Sequence, residues 1–420
     1  MLFDAGLYVQ KSDESLVGIS PDEFVDLVEP KLEYDLSLEH IRTRLANNET
    51  LKVKMGIDPT GPDVHLGHTV PIRVLDLFRR SGHQVDLIFG DFTAKIGDPS
   101  GRDSARKVLT DAEIASNVAS YRSQVHNFFD TNGENVRIHR NSTWLGEMAL
   151  HETFQYLQMV NLSEATRRKD FRERMQRGAA VTLAEAMYGT LQGIDSVHLG
   201  SDVEIGGIDQ LLNVQQARSV QRNRGQNAED ILLTPIIEGT TGDGRKMSKS
   251  YGNYIATNAD ADDIFGQIMS IPDTLIVPYI VAFAPVSKGD IQALHTATQM
   301  YPYEQKKQLA KYLVATATGS IEQGDIAKEN FERKFSLRQT DESDYTEVVA
   351  SLEDSVLSAL VKTGGFKSNG EIRRLASGGG IKINGCKITE DGLQELVDNG
   401  HKILVGKRRG FKISLQRNKD

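Results

Sequence analysis

Two pairs of side chains have the types and spacing for chemistry on an anion: His65 and His68, and Lys246 and Lys249, each pair three residues apart. His65-Leu66-Gly67-His68 follows a loop that holds Pro59, Gly61 and Pro62. Residues three apart share one face of a helix. At a helix N-terminus, imidazoles would donate hydrogen bonds to a group that the helix dipole already favours. Gly67 would let a nucleotide approach the backbone. That is chemistry for a polyphosphate. A surface pair, or half of a metal site, has the same spacing, and the histidines alone do not decide. The lysines lie in Lys246-Met247-Ser248-Lys249-Ser250, after a run rich in glycine and hydroxyl residues. Such a run is expected to be a mobile loop, and composition alone favours an ordinary surface one. A third set, Tyr188, Gln192 and Asp195, recurs at i, i+4 and i+7 and makes a polar stripe on a helix of small apolar residues.

These residues need a scaffold, and the chain supplies strand-like runs ahead of each. Residues 51–57 read as a buried strand that leads through Gly56, Asp58 and Thr60 to the histidines. The histidine helix continues through Val70, Val74, Leu77 and Phe78 and stops at Ser81-Gly82. Residues 85–89 form a second apolar strand that runs into Gly97-Asp98-Pro99-Ser100-Gly101. Short strands are expected at 136–139 and 197–199, helices at 111–130 and 147–176, and a last apolar strand at 231–237. Gly206-Gly207-Ile208-Asp209-Gln210 reads as a turn opening a helix to about Arg222. Strands alternating with helices predict an α/β domain with an open parallel sheet and its ligands at the strands' carboxyl ends.

At 420 residues the chain has room for two or three domains. Asp4 interrupts the first apolar residues and no basic segment precedes them, so no secretory signal is read. No apolar run is long enough to span a membrane. Cys386 is the only cysteine, which excludes an intrachain disulfide and a cysteine-rich zinc site, and a cytoplasmic location is expected. The net charge of −9 is uneven. Residues 352–420 carry 13 Lys/Arg against 8 Asp/Glu, on a body that is acidic. A basic appendage of this kind suits nucleic acid, although a solvated surface has the same charge. Arg373 and Arg374 on a helix, Lys382 on a strand, and Lys407, Arg408 and Arg409 in a later turn are the candidate contacts. Residues 1–50 read as a helical segment, 51–252 as the sheet domain with a helical insertion, 253–335 as helical, 336–350 as a linker and 351–420 as a compact α+β unit.

Taken together, the motifs resemble one family. His65-Leu66-Gly67-His68 looks like the HIGH signature of class I aminoacyl-tRNA synthetases, and Lys246-Met247-Ser248-Lys249-Ser250 matches the KMSKS signature of the same class. Gly97-Asp98-Pro99-Ser100-Gly101, the Tyr188–Gln192–Asp195 stripe and Gly206-Gly207-Ile208-Asp209-Gln210 fall in the order and spacing of the tyrosyl-tRNA synthetases. The tail resembles the S4 RNA-binding domain of bacterial members. The resemblance implies a Rossmann-like catalytic domain with a helical insertion, an all-α domain and a small S4-like domain.

It also implies a reaction: tyrosine attacks ATP, and tRNA(Tyr) then receives the acyl group, with Mg²⁺ arriving on the ATP rather than in a protein cage and no prosthetic group. His65, His68 and Thr60 would hold the phosphates, and Lys246 and Lys249 would close over pyrophosphate. Gly56, Asp58, Gly67, Gly206, Asp209, Met247 and Ser248 would complete the ATP site, with Asp58 and Asp209 facing the amino acid, the ribose or both. Asp98, Tyr188 and Gln192 would cradle the α-ammonium, Asp195 would accept from the phenol, and Gln210 would lie near the carboxylate. A homodimer joined through the insertion is expected. Two positions depart from the commoner pattern: Lys54, where one branch has a tyrosine that shares the phenol contact, and Ile208, where Ser or Thr is usual. A nucleotidylyltransferase, a tryptophanyl enzyme or a catalytically retired paralogue are the competing readings.

Overall fold

The structure is a computed structural model and describes residues 3–99, 109–166, 169–336, 345–366, 368–406 and 409–415. It divides into two compact units, Met1–Lys328 and Glu329–Asp420. No single helix among the described residues is long and apolar enough to cross a membrane.

The first unit is built on a six-stranded sheet of β1 (Tyr34–Asp35), β2 (Lys52–Ile57), β3 (Gln84–Phe89), β4 (Val136–Arg140), β5 (Val203–Gly207) and β6 (Asp230–Thr234). Their spatial order is β1-β6-β5-β2-β3-β4. The order reverses at β2, between β5 and β3, and all neighbours are parallel except the β1–β6 pair. That reversal opens a crevice at the carboxyl ends of the strands, where ligands of open α/β sheets bind. The residues around it come from the ends of β2, β3 and β5. Helices cover both faces, so the central strands are buried even where they carry polar residues: every residue of β6 is buried, as are Val53, Met55, Leu87 and Phe89.

Several expectations are corrected. Residues 197–199 are not a strand but the last turn of helix Leu183–Leu199, which Gly200 ends in a left-handed conformation at φ +60°. The stretch 147–176 breaks into helices Leu150–Leu157, Leu162–Ala165 and Lys169–Gln176. Residues 1–50 and the helices between 253 and 328 pack with the sheet in the first unit. Tyr34–Asp35 adds an edge strand. Phe3 stacks on Tyr8 at 4.6 Å and meets the Tyr312 ring edge-on at 5.6 Å. The buried Arg73 guanidinium donates to the Phe283 and Phe128 carbonyls at 2.9 Å and to Ser12 Oγ at 3.0 Å. A buried guanidinium is tolerated only with its donors occupied, so Arg73 ties three segments into one body.

The second unit holds a five-stranded sheet in the order β7-β11-β10-β8-β9. Its strands are β7 (Tyr345–Ala350), β8 (Ile381–Ile383), β9 (Cys386–Lys387), β10 (Lys402–Val405) and β11 (Arg409–Leu415). Here the expected linker 336–350 is corrected. Residues 337–344 lie outside the described residues, while 345–350 form a strand along β11, with Val348 and Ala350 in this unit's core. The alternation Val348, Ala350 is a strand signal that the polar residues ahead of it masked. Helices Val356–Lys362 and Asn369–Ser377 cover one face through Val356, Leu360, Ile372 and Ala376.

Candidate active site

The polar stripe lands where the crevice needs it. Helix Leu183–Leu199 turns Tyr188, Gln192 and Asp195 into a cavity that is also lined by Gly56, Asp58, Gly90, Thr93, Asn141, Glu204, Gly206 and Gln210. Its opposite face is made of small residues because helix Leu211–Asn223 lies close behind. A Cβ on Gly193 would stand 2.9 Å from the Val220 side chain. Gly90 is constrained from the cavity side: a Cβ there would come within 2.1 Å of Asp58 Oδ1 and 2.3 Å of Thr93 Oγ1.

Asp195 is buried and held by two donors, Trp144 Nε1 at 2.7 Å and Asn141 Nδ2 at 3.3 Å. Burial pushes its carboxyl up to about 7, against the opposing pull of Lys54 and of those hydrogen bonds. Tyr188 Oη donates to Asp58 Oδ2 at 2.9 Å, and Thr93 Oγ1 donates to Asp58 Oδ1 at 2.7 Å. Asp58 therefore belongs to the amino-acid cavity as well as to the loop before the histidines. Asp98 accepts from Gln210 Nε2 at 2.7 Å and from Asn213 Nδ2 at 3.3 Å. Of its motif, Ser100 and Gly101 lie outside the described residues.

The two basic pairs meet at the adjoining end of β2. His65 caps helix Leu66–Arg80 and stacks on His68 with ring centroids 3.7 Å apart. The lysine segment folds back as a short hairpin in which Glu238 bridges to Lys246 and the Met247 amide donates to the Ile237 carbonyl at 2.9 Å. Met247 is buried beneath it, and Asn253 accepts from the Ser248 amide at 2.8 Å. Lys249 Nζ donates to the Asp63 carbonyl, so the hairpin reaches over the loop that carries Thr60 and Gly61. Burial first, then the charges of Lys249 and Lys246, lower the His65 imidazole to about 4. His65 is thus neutral at physiological pH, and its Nδ1 is buried with no hydrogen-bond partner among the described residues. A buried ring nitrogen without a partner, beside two ammonium groups, is a site that an anion would complete.

Gly206 and Asp209 lie on β5 and on the short helical turn Ile208–Gln210 that follows it. Ile208, the residue out of pattern, packs with Tyr34 and Leu211 against Val214, Ile231 and Leu233. Its side chain serves a small apolar cluster, which gives the isoleucine a packing role there. Sequence reasoning missed Thr93, Asn141, Trp144 and Glu204. Asn141 and Trp144 follow β4 and reach Asp195 across more than fifty residues of chain, a contact that no local pattern announces.

In the second unit Arg373 and Arg374 are exposed on helix Asn369–Ser377, and Arg373 lies 3.9 Å from Glu390. Lys382 is half-buried on β8. Arg409 lies over the Phe366 ring at 4.4 Å and donates to the Gly365 carbonyl at 2.7 Å, so it is partly spent on the fold. Lys407 and Arg408 lie outside the described residues.

The sequence model of the family described as tRNA synthetases class I (W and Y) matches residues 46–336. Curated relatives include a tyrosine–tRNA ligase of Geobacter metallireducens, 38% identical over 393 residues, which span 92% of this chain and 95% of the relative. Another, from Aquifex aeolicus, is 35% identical over 398 residues, or 94% of this chain and 99% of the relative. Among solved structures, a C-terminally truncated mitochondrial tyrosyl-tRNA synthetase of Aspergillus nidulans superposes with a TM-score of 0.63 at 20% identity, over 79% of this chain and 99% of that one. The tyrosyl-tRNA synthetase of Archaeoglobus fulgidus, complexed with L-tyrosine, gives 0.58 at 20% identity over 73% and 99%. With the crevice, the paired histidines and the lysine hairpin in place, the sequence match leaves one conclusion: the chain belongs to the class I tRNA synthetases of the tryptophan and tyrosine type.

Proposed function

We propose that the chain is a tyrosine–tRNA ligase whose cavity takes L-tyrosine and whose histidine and lysine pairs take the phosphates of ATP. A tyrosine carboxylate oxygen attacks the α-phosphorus, the bond to the β-phosphate oxygen breaks, and pyrophosphate leaves. The terminal ribose hydroxyl of tRNA(Tyr) then attacks the acyl carbon and releases AMP. The nucleophile of the first step is already ionised, so catalysis is positioning and charge stabilisation rather than proton removal. His65, His68 and Thr60 hold the phosphates, while Lys246 and Lys249 neutralise the charge that moves to pyrophosphate. Gly56, Gly67, Gly206, Asp209, Met247 and Ser248 shape the nucleotide site. Asp98, Tyr188 and Gln192 receive the ammonium, with Asp58 holding the Tyr188 hydroxyl. Mg²⁺ enters with ATP.

The observation that supports tyrosine is Asp195, a buried carboxylate lining the cavity with donors on both oxygens. A phenolic hydroxyl can satisfy such a group, and phenylalanine cannot. Measuring ATP–pyrophosphate exchange with each amino acid in turn tests the reading: exchange should require tyrosine, and exchange driven by tryptophan or by no amino acid would overturn it.

The same proposal includes a cytosolic homodimer joined through the insertion. Leu150, Phe154, Leu162 and Leu183 are large, apolar and well exposed there, as expected of a surface that a second copy covers. The second unit is read as the tRNA-binding appendage, carried by the charge of residues such as Arg373, Arg374 and Lys382. Deleting residues 337–420 should leave adenylate formation within about twofold of the whole chain and lower tRNA charging by about tenfold or more. The cut belongs before β7, because ending the chain at 350 would strand a β-strand without its partner. Equal charging by the truncated and whole proteins would show the basic surface to be inert.

A further inference from the structure

A buried charge network lies against the amino-acid cavity, and the reaction as described gives it no part. Lys54 on β2 and Glu204 on β5 are register partners in the parallel pair, and the Lys54 ammonium is hydrogen-bonded to Glu204 Oε1. Glu229, just ahead of β6, completes the group. Ser196 Oγ donates to its Oε1 at 3.0 Å and Ser201 Oγ to its Oε2 at 2.5 Å. Lys54, Glu204 and Glu229 are each about 1% exposed.

One ammonium cannot keep two neighbouring carboxylates ionised away from water. Burial, with the Glu204 carboxylate adding to it, pushes the Glu229 carboxyl well above its usual range against the pull of Lys54. Burial also works to raise Glu204, but Lys54 and hydrogen bonding outweigh it and leave Glu204 below the usual range. Glu204 Oε2 is buried and accepts from no N–H or hydroxyl among the described residues. The Glu204 and Glu229 carboxyl groups are hydrogen-bonded to each other, which takes a proton between them, and Glu229 is the one that burial and its neighbour dispose to hold it. The group is then a cation, an anion and a neutral acid, with no net charge.

The consequence falls on Gln192. The two ends of an amide are nearly the same shape, and a neighbour that both donates and accepts would take either. An ionised Glu204 only accepts, and Gln192 Nε2 donates to its Oε1 at 2.7 Å. The Gln192 carbonyl oxygen is thereby turned away from Glu204, on a side chain that lines the cavity. We infer that Lys54 and Glu204, with Glu229 behind them, are positioning residues that fix Gln192 carbonyl-outward, so that the cavity offers an acceptor to the α-ammonium of the amino acid. The inference rests on the reading of the cavity as a tyrosine site. Lys54, the residue that departs from the tyrosine-bearing branch, touches no substrate in this arrangement. It holds the anion that orients the residue that does.

Glu204→Gln tests it, because the new amide can donate as well as accept and releases Gln192 from one orientation. The readouts are the tyrosine and ATP KM in pyrophosphate exchange. They are joined by the inhibition constants of tyrosinol, which keeps the ammonium, and of 3-(4-hydroxyphenyl)propionate, which lacks it. The tyrosine KM and the tyrosinol constant should rise about tenfold, while the ATP KM and the propionate constant stay within about twofold. Because Glu204→Gln leaves Lys54 without its anion, the Lys54→Met/Glu204→Gln variant removes the pair together. It should melt closer to wild type and keep the tyrosine defect. Equal losses for both inhibitors, or a wild-type tyrosine KM in the double variant, would overturn the positioning role. A wild-type protein that exchanges with some other amino acid would instead overturn the parent reading.

Discussion

Asp195→Asn should lower kcat/KM for tyrosine about 10- to 100-fold in pyrophosphate exchange, which is the worth of one hydrogen bond to a buried charged acceptor. The same substitution should make the protein more stable. In the folded chain the Asp195 carboxyl ionises only near pH 7, because burial disfavours its charge, while in the unfolded chain it ionises near 4. The folded state therefore holds this proton more tightly. Below pH 4 the group is protonated in both states and costs nothing. Between 4 and 7 the unfolded chain gains stability from ionising it, and above 7 the whole cost is present, on the order of 2–4 kcal/mol. The asparagine variant should melt higher than wild type at pH 8, and the gap should close as the pH falls towards 4. Activity should follow the same titration: kcat/KM for tyrosine in the wild type should rise through about pH 7, and this limb should vanish in the variant. A melting gap that does not depend on pH would remove Asp195 as the titrating group. An unchanged kcat/KM would remove it from the tyrosine site. The buried carboxylate is then a place where stability has been given up for recognition.

The parts of this site that were legible in the sequence are those with a local period. Tyr188, Gln192 and Asp195 share one helical face, which a period of 3.6 places once the helix is granted, whereas His65 caps its helix in an extended conformation and meets His68 by ring stacking. β2, β3 and β6 were visible as largely apolar runs because both faces of a parallel sheet are covered, although Lys54 and Asp86 interrupt the first two. What failed was whatever depends on partners distant in sequence. Residues 345–350 became a strand only because β11 lies beside them. Val197, β-prone in isolation, stayed helical because the helix ran on to Gly200. Asn141 and Trp144 became site residues only through the fold. Lys54 could be seen to be out of pattern, but its partner Glu204 sits 150 positions away on the next strand of the sheet. Ile208 stood out of pattern in the turn, and the partners it packs against, Val214 and Leu233, lie elsewhere in the chain.

Lys249→Ala should slow adenylate formation about 100- to 1,000-fold in single-turnover measurements, with the tyrosine dissociation constant within about twofold of wild type. The Lys249 ammonium donates to the Asp63 carbonyl, on the loop that leads from β2 to the histidine helix. It also bears on His65, whose imidazole it helps to hold down to about 4 after the larger effect of burial. Two lysines and a neutral histidine so placed bind an ordinary triphosphate and a charge-shifted one unequally, because only the second concentrates negative charge on the departing pyrophosphate. A donor of this kind acts on the transition state more than on the ground state, so kcat should fall and substrate affinity should not. In the proposed site tyrosine lies in the cavity beside helix Leu183–Leu199, whose lining includes no residue of the hairpin. The electrostatic coupling gives an independent check that does not depend on turnover: with the Lys249 charge removed, the His65 resonance should titrate at higher pH than in wild type, although burial will keep it below the ordinary histidine range. Lys249→Arg keeps the charge but changes the shape of the donor, so it should restore the low His65 titration and recover adenylate formation only in part. A variant that lost tyrosine affinity and kept its rate of adenylate formation would place Lys249 outside the phosphate site, whatever its distance from His65.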